Sequence, residues 1–492
     1  MKNSSSILAL WCFCCIVTIS FSQVAPDEVW LVGAHDLPGR PGYGNALVRF
    51  STDGVQVEQV DLRMNIESTV ATMPDENGNL LFFTNGCYVA SSHGDTMLNG
   101  AGLNPGEMAD WTCSTAGYAS PKGAMALQLP GSERLYYLFH MGVRYSPELK
   151  ISYGPFYYTL IDMSLDNGRG GVVSKNNILV DGYLEPFSAV RHGNGRDWWI
   201  VVPEYESNLY HKFLLSPQGI YWIENQEIGP ALQCTYIGSS VFSPTGNRYA
   251  RTNNCGVAVM RFDRCSGVFS NDQHLALPPN VFAGGGVAFN FKGDRLVVST
   301  QLSVQAADLT LPNPELDTIV TTLDAAGASL HLMQYAPDDK IYLSNLARGR
   351  FFHVIHQPNE QDIAFEKQGL PLPVYSVRSL PNNPSHKLLD APHSACDTLG
   401  IDHPTSSIDL DNERPSISVN PNPAKDIIRI TASFNIETII VLNALGETVF
   451  IQNQMASASY MEVNVGGCLP GLYVALVRSN EHMELVRFIV SR

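Results

Sequence analysis

The chain has 492 residues, a length that favours two or more domains. Hydrophobic residues make up 45% of the sequence and charged residues 16%, which indicates folded cores and excludes a disordered chain. The formal net charge is −16 and the sequence contains no run of Lys or Arg. We therefore expect neither nucleic acid nor an anionic membrane to be the main partner.

The N-terminus has the pattern of a secretory signal peptide. Lys2 supplies a positive charge, and an apolar run from Ile7 to Ile19 follows it. Small residues then stand where a signal peptidase reads the chain, which predicts cleavage between Ser22 and Gln23 and removal of residues 1–22. The run is shorter than the roughly 20 residues that span a bilayer, and no other apolar stretch is long enough. We therefore predict an exported protein without a transmembrane segment.

Seven cysteines remain after the predicted cleavage, at positions 87, 113, 234, 255, 265, 396 and 468. Disulfides persist in exported proteins, and none of these cysteines has the CxxC spacing of a metal site. We favour a disulfide between Cys234 and Cys255, whose closed loop would contribute roughly 3 kcal/mol. Buried free thiols remain the alternative.

A repeated pattern runs through the body of the chain, from about Val29 to Leu389. In each repeat an apolar run leads to a turn rich in Pro, Gly, Asn and Asp, and a β-rich run follows. The six turns are Thr72-Met73-Pro74-Asp75, Leu129-Pro130-Gly131-Ser132, Arg191-His192-Gly193-Asn194-Gly195, Phe242-Ser243-Pro244-Thr245-Gly246, Phe289-Asn290-Phe291-Lys292-Gly293 and Tyr335-Ala336-Pro337-Asp338. Their first residues are 46 to 62 positions apart, the period of a four-stranded propeller blade.

The two ends of this region predict a seventh blade. Three strands, beginning with Val29-Trp30-Leu31-Val32, have no inner strand before them, and Val374-Tyr375-Ser376-Val377 has no blade after it. Pairing the two segments would close the ring and protect its edges. We therefore predict an all-β fold, a β-propeller of about seven blades over residues 23–396.

The sequence changes character after Cys396. Residues 397–414 are polar and read as a linker. Asp409, Asp411 and Glu413 in this stretch lack the Gly and the terminal Glu of a calcium loop. Residues 415–492 contain five short β-rich runs, which predict a small Ig-like β-sandwich.

This terminal unit resembles the type A C-terminal sorting domain of type IX secretion in Bacteroidota. Three groups of residues carry the resemblance: Asn420, Pro421, Asn422 and Pro423; Gly446; and Gly471 with Tyr473. The closing segment Arg487-Phe488-Ile489-Val490 completes it. The family more often has an aromatic residue in place of Asn420. The resemblance implies Sec export, recognition by the type IX secretion machinery, cleavage of the domain, and surface attachment or release.

The body looks like a family of secreted propeller proteins from the same bacteria. The likeness covers most of residues 70–345 and includes Leu80-Leu81-Phe82-Phe83-Thr84-Asn85-Gly86 and Asp197-Trp198-Trp199-Ile200-Val201. It implies the fold and no activity.

A search for chemistry finds no catalytic motif, and we name no catalytic residue, metal ligand or cofactor. His353 and His356 are three apart in a predicted strand and point to opposite faces, so with His331 they read as core or surface histidines. Trp198 and Trp199 suit a sugar-stacking platform, but core packing is the better interpretation.

Three functions remain open. The leading hypothesis is a non-enzymatic surface or extracellular binding module for a glycan or protein ligand, because rigid scaffolds commonly carry binding loops. The alternative is a secreted hydrolase of polysaccharide or peptide. It would be favoured by carboxylates that line one funnel and have a raised pKa. The third is a structural part of the surface or adhesion machinery.

Overall fold

The computed structural model describes residues 24–491 except 35–40, 147–149, 234–237, 278–282, 322–329, 361, 393, 398, 400–416, 444–447 and 480–482. Strands dominate this part of the chain, as the aromatic and β-branched runs predict. Within it the one α-helix is α1 (Glu107–Thr112).

The first 27 strands form seven units with antiparallel neighbours, which we call blades 1 to 7; a parallel pairing of Gly171 with Leu98 joins the outer strands of blades 2 and 3 into one eight-stranded sheet. Blade 1 contains β1 (Val29–Ala34), β2 (Gly44–Ser51) and β3 (Gly54–Val60). Blades 2 to 4 contain β4 (Ala71–Pro74), β5 (Leu80–Thr84), β6 (Tyr88–Ser91), β7 (Thr96–Ala101); β8 (Ala124–Gln128), β9 (Leu135–Ser146), β10 (Lys150–Asp162), β11 (Gly171–Val180); and β12 (Ser188–Arg191), β13 (Trp198–Pro203), β14 (Leu209–Ser216), β15 (Gly219–Glu227). Blades 5 to 7 contain β16 (Ser239–Phe242), β17 (Arg248–Asn253), β18 (Gly256–Phe262), β19 (Phe269–Leu275); β20 (Ala283–Phe289), β21 (Arg295–Thr300), β22 (Ser303–Asp308), β23 (Asp317–Thr321); and β24 (Leu330–Tyr335), β25 (Ile341–Asn345), β26 (Gly349–His356), β27 (Ala364–Ser376).

All six predicted turns join the first and second strands of blades 2 to 7. In blade 5 the Gly246 amide donates to Ser243 O, and the Ser243 amide donates to Arg248 O. Gly246 has a φ of +73°, and a Cβ there would lie 2.7 Å from Val190. The turn therefore requires glycine both for its backbone conformation and for its fit against blade 4.

One apolar core lies between each pair of neighbouring blades, which makes seven interfaces around the ring. The core between blades 7 and 1 contains Trp30 and Val32 from blade 1 with Tyr342, Val354 and Val374 from blade 7. Because blade 7 packs on blade 1, the ring is closed. The prediction of about seven blades is confirmed.

The predicted closing pair is wrong. Val374 belongs to β27, which pairs with β26 as the outer strand of blade 7, and β1 pairs with β2. Val374 is a neighbour of Trp30 through side-chain packing only. The next segment of chain takes the place beside β1, where the Ser379 hydroxyl bonds to both the amide and the carbonyl of Gly33. Side-chain packing, the Ser379 hydroxyl and a single backbone bond from the Tyr375 amide to Gly42 O thus replace the expected strand ladder.

Residues 377–392, which we call the strap, cross from blade 1 to the middle of the ring. The Asn382 side chain donates to Lys122 O and Phe187 O, each at 3.0 Å, immediately before the first strands of blades 3 and 4. Further contacts are Gln334 to Asn383 O, Arg191 to His386 O, Arg264 to Leu389 O and the Ala391 amide to Gly193 O. A disulfide between Cys265 and Cys396 fixes the chain just after the strap.

The C-terminal unit contains β28 (Ile417–Asn420), β29 (Ile427–Leu442), β30 (Thr448–Asn464), β31 (Gly471–Arg478) and β32 (Met483–Val490). The order is β28-β29-β31-β32, and β30 pairs along the other side of β29. One half of β29 lies between β28 and β30 and the other half between β31 and β30. Apolar side chains of the five strands share one core. Most of the predicted linker, with Asp409, Asp411 and Glu413, lies outside the described residues.

Candidate functional site

The first sorting residues are hydrogen-bonded to the C-terminal end of the chain. The side-chain oxygen of Asn422 accepts a hydrogen bond from the Ile489 amide at 2.8 Å. Ala424 then exchanges backbone bonds with Ile489 and Ser491, each at 2.7 Å. Residues 420–423 remain exposed on this edge. The motif therefore joins the two ends of the unit and is accessible to a receptor.

Two other sorting residues lie in β31. The Tyr473 ring is buried against Phe488, with 5.8 Å between ring centroids, and its hydroxyl donates to Leu469 O at 2.8 Å. Gly471 is the exposed first residue of the strand. Gly446 lies outside the described residues, as do Ser22 and Gln23 of the predicted signal cleavage site.

A pocket of about 150 Å³ lies where blades 4 to 7 meet the strap. We call it the strap pocket. Its walls come from the ends of the first strands and the turns after them, with Val190, Phe242, Phe289 and Tyr335 among the lining residues. Asp27, just before β1, lines it as well. Sequence reasoning missed this pocket because its parts are spread over more than 350 residues of chain.

Two buried polar atoms of the strap pocket have no hydrogen-bond partner among the described residues: Asp27 Oδ1 and Asn383 Nδ2. The other carboxyl oxygen of Asp27 accepts a hydrogen bond from the His386 amide. Burial raises the pKa of Asp27 to about 6, and the backbone amides of Asp27 itself and of His386, with the charge of Lys387, offset this only in part. Asp27 thus exchanges its proton close to neutral pH.

Lys122 lies behind one wall of the strap pocket. Its ammonium group crosses from blade 3 to blade 7 and donates to Met333 O at 2.5 Å and to Gln334 Oε1 at 3.1 Å. Burial lowers the pKa of Lys122 to about 7. Together with Asn382, this side chain fills the middle of the ring.

A surface with exposed aromatic side chains lies at the other end of the blades, away from the turns that join first and second strands. The hairpin of β9 and β10 has strands of 12 and 13 residues, while the matching strands of blade 5 have 6 and 7. Near the end of β9, Tyr145 is 62% exposed. Arg144 is ion-paired with Asp181 and lies 5.8 Å from the ring centroid of Tyr183.

Helix α1 lies beside β9, and its Trp111 is 61% exposed. A disulfide between Cys87 and Cys113 ties the end of this helix to blade 2. We call Trp111, Tyr145, Tyr183 and Arg144 the aromatic face. Exposed aromatic side chains on a braced support are typical of binding surfaces.

The remaining singled-out residues lie in cores or make local contacts. Trp198 and Trp199 are each 3% exposed, so their prediction as core residues is confirmed. His353 is buried and bonds to Asn345 at 3.0 Å, while His356 contacts Glu366 at 2.7 Å. Among the described residues no group of His, Cys, Asp and Glu is placed to hold a metal ion.

Residues 418–491 match the family model of the secretion system C-terminal sorting domain. The match covers the motif at Asn420 and the strands that enclose it. The chain is a type IX secretion substrate. It is therefore a protein of the cell surface or the extracellular space. No helix in the described part of the chain is long and apolar enough to cross a membrane.

Similar solved structures cover the body of this secretion substrate. A Bacteroides uniformis protein provisionally named a 6-phosphogluconolactonase is 13% identical, with a TM-score of 0.42, and the match covers 70% of this chain and 98% of that one. Apo AztD from Citrobacter koseri is 12% identical with a TM-score of 0.32, covering 89% and 97%. No curated protein matches the chain. None of these likenesses assigns it an activity.

The described part of the secreted body contains two disulfides other than the expected pair. The structure contains Cys87–Cys113 and Cys265–Cys396, neither of which sequence reasoning singled out. Cys255 is also disulfide-bonded, but Cys234 lies outside the described residues, so the Cys234–Cys255 pair stays a prediction. Cys468 of the sorting domain is free.

Proposed function

We propose that the propeller is a non-enzymatic binding module for an extracellular glycan or protein, delivered to its place of action by type IX secretion. The aromatic face is its binding surface. The observation that carries this proposal is that Trp111 and Tyr145 are 61% and 62% exposed. A disulfide holds the helix that carries Trp111, and a long hairpin carries Tyr145. Trp, Tyr and Arg are the side chains that most often dominate binding energy.

The rigidity of the support matters as much as the side chains. A ligand that meets a pre-organised surface loses less free energy to ordering of the protein. Exposed loops on rigid scaffolds carry much of protein function for this reason. The Cys87–Cys113 disulfide and the Arg144–Asp181 ion pair provide that support on the two sides of the aromatic face.

A secreted hydrolase is the second candidate, and Asp27 is the observation that favours it. A carboxyl with a pKa near 6 in a pocket suits a general acid or base. Asp339 also lines the strap pocket and accepts a hydrogen bond from the Tyr335 hydroxyl. However, about 150 Å³ is smaller than the roughly 300 Å³ at which ligand pockets usually begin. This volume has room for one small group, such as a chain end, and not for several consecutive units of a polymer.

The test compares the protein from residue 23 onward with a Trp111→Ala, Tyr145→Ala double variant on a glycan array and in capture of surface proteins. We expect the double variant to bind its ligand at least tenfold more weakly, because truncating each such anchor costs about 1–3 kcal/mol. Trp222→Ala is the matched control, since Trp222 is also 61% exposed but lies on β15 of blade 4. Equal binding by all three proteins, or turnover of a polymer in a parallel hydrolase screen, would contradict the proposal.

A further inference from the structure

The strap pocket combines a carboxyl group with aromatic walls. Phe242, Phe289, Phe291 and Tyr335 all line it, with Asp27 at the N-terminal side. Aromatic faces attract cations through the negative charge above the ring, and a carboxylate attracts them directly. The strap pocket therefore has the two features that favour a positively charged ligand.

The positively charged side chain that lines the strap pocket is already paired with a carboxylate. Lys387 lines the strap pocket, but its ammonium group is ion-paired with Glu28. Lys122 lies behind the wall and donates to Met333 and Gln334. Neither ammonium group is hydrogen-bonded to Asp27 Oδ1, which stays unpartnered among the described residues. This oxygen can accept a hydrogen bond from a ligand.

The second unpartnered atom has the opposite character. Asn383 Nδ2 is a donor. Asn383 belongs to the strap, and the Gln334 side chain of blade 7 holds it in place by donating to Asn383 O at 3.1 Å. One acceptor and one donor together fit a group that offers both a donor and an acceptor. A buried polar atom without a partner costs about 1–3 kcal/mol, so a ligand that satisfies both atoms recovers that cost.

We propose that the strap pocket binds a primary ammonium group that has an oxygen acceptor on the neighbouring carbon. Asp27 Oδ1 accepts from the ammonium, Asn383 Nδ2 donates to the oxygen, and the aromatic walls surround the carbon atoms. Amino-acid amides, peptide N-termini and amino sugars all carry this group. The site is separate from the aromatic face, so it goes beyond the proposed function.

The proposal sets a pH dependence. The ammonium requires the ionised form of Asp27, whose pKa is raised to about 6. The groups that act on it are the backbone amides of Asp27 itself and of His386, which lower that pKa, Glu28, which raises it, and Lys387, which lowers it. Burial lowers the pKa of the His386 imidazole to about 3, so it stays neutral in the range of interest. From pH 7.5 to pH 5 the ionised fraction of Asp27 falls about tenfold, and the affinity falls by somewhat less, because an amine with a pKa of about 8 is only partly protonated at pH 7.5.

The test is calorimetric titration of the protein from residue 23 onward, disulfides intact, with leucinamide and with glucosamine. Their N-acetylated forms lack the charge and serve as ligand controls. We expect at least one amine to bind, its N-acetyl form to bind at least tenfold more weakly, and Asp27→Asn to weaken the amine at least tenfold. Asp317→Asn removes the same charge from an exposed site and should leave binding unchanged.

Several results would overturn the proposal. They are equal binding of an amine and its N-acetyl form, an affinity that does not change between pH 7.5 and pH 5 in the unmodified protein, or no binding of either amine at about 10 mM. The pH series needs no variant, so it decides the matter even where Asp27→Asn disturbs folding. A preference between leucinamide and glucosamine identifies the source of the ammonium group.

Discussion

At the residue scale, Asp27 shows how a distant segment sets the chemistry of a side chain. Its carboxyl group lines the strap pocket together with residues of the strap, and the His386 amide donates to it. No motif near position 27 in the sequence predicts that the Asp27 carboxyl is buried. In contrast, Trp198 and Trp199 could be assigned to the core from their own strand, because large aromatic side chains in a buried strand have few other places to go.

The raised pKa of Asp27 predicts a specific pH dependence of stability. Because the folded-state pKa of about 6 exceeds the usual value of 3.8, the folded state binds this proton more tightly than the unfolded state. The contribution to stability is therefore complete below about pH 4 and is lost as the pH rises through 6. Asp27→Asn removes it, while its amide oxygen still accepts from the His386 amide.

Urea unfolding of both proteins at pH 4.5, 5.5, 6.5 and 7.5 measures this effect. We expect the unmodified protein to lose about 2 kcal/mol relative to Asp27→Asn across this range, since one pKa unit corresponds to about 1.4 kcal/mol. Parallel stability curves for the two proteins would show that the Asp27 carboxyl is not desolvated as described.

At the element scale, the turns were predictable and the strap was not. Pro, Gly, Asn and Asp fix a turn through local backbone chemistry, so the six turns could be assigned from short stretches of sequence. The strap has no repeat of its own, and its partners lie in blades 1, 3, 4, 5 and 7. Its position depends on contacts such as Asn382 with Lys122, across 260 residues of sequence. The same distance explains why the Cys265–Cys396 disulfide, with a separation of 131, was missed.

The Cys265–Cys396 disulfide should anchor the strap. Cys265→Ser with Cys396→Ser is expected to lower the free energy of unfolding by about 2–4 kcal/mol, because a loop of this length gains much entropy when it is opened in the unfolded chain. It should also expose the strap to proteases, as the bond fixes its C-terminal end. Denaturant unfolding and mass spectrometry of limited digests measure both effects.

Cys468→Ser is the control for this experiment, because Cys468 is free and belongs to the sorting domain. It should leave both measurements unchanged. The disulfide is closely packed, since a Cβ on Gly193 would lie 2.8 Å from the Cys265 sulfur. Equal stability and equal digestion of the serine double variant and the Cys468→Ser control would contradict an anchoring role.

At the scale of the whole molecule, the ring and the sorting domain have separate cores. Seven interblade cores use residues up to Leu388, and the sorting domain core begins at Ile417. The blade count and the closure of the ring were predictable from the turn period and the two ends of the region, whereas the way in which blade 7 contacts blade 1 was not. A strand ladder and a packed interface leave the same apolar pattern in β1, so the sequence does not distinguish them.

The most direct test of this account is the intact mass of the protein recovered from the cell surface or the culture medium. A type IX substrate whose sorting domain serves only export should lose that domain. We predict a product that begins at Gln23 and ends within residues 397–414, so that Cys468 is absent and Cys396 is retained. A secreted protein that still ends at Arg492 would contradict the account.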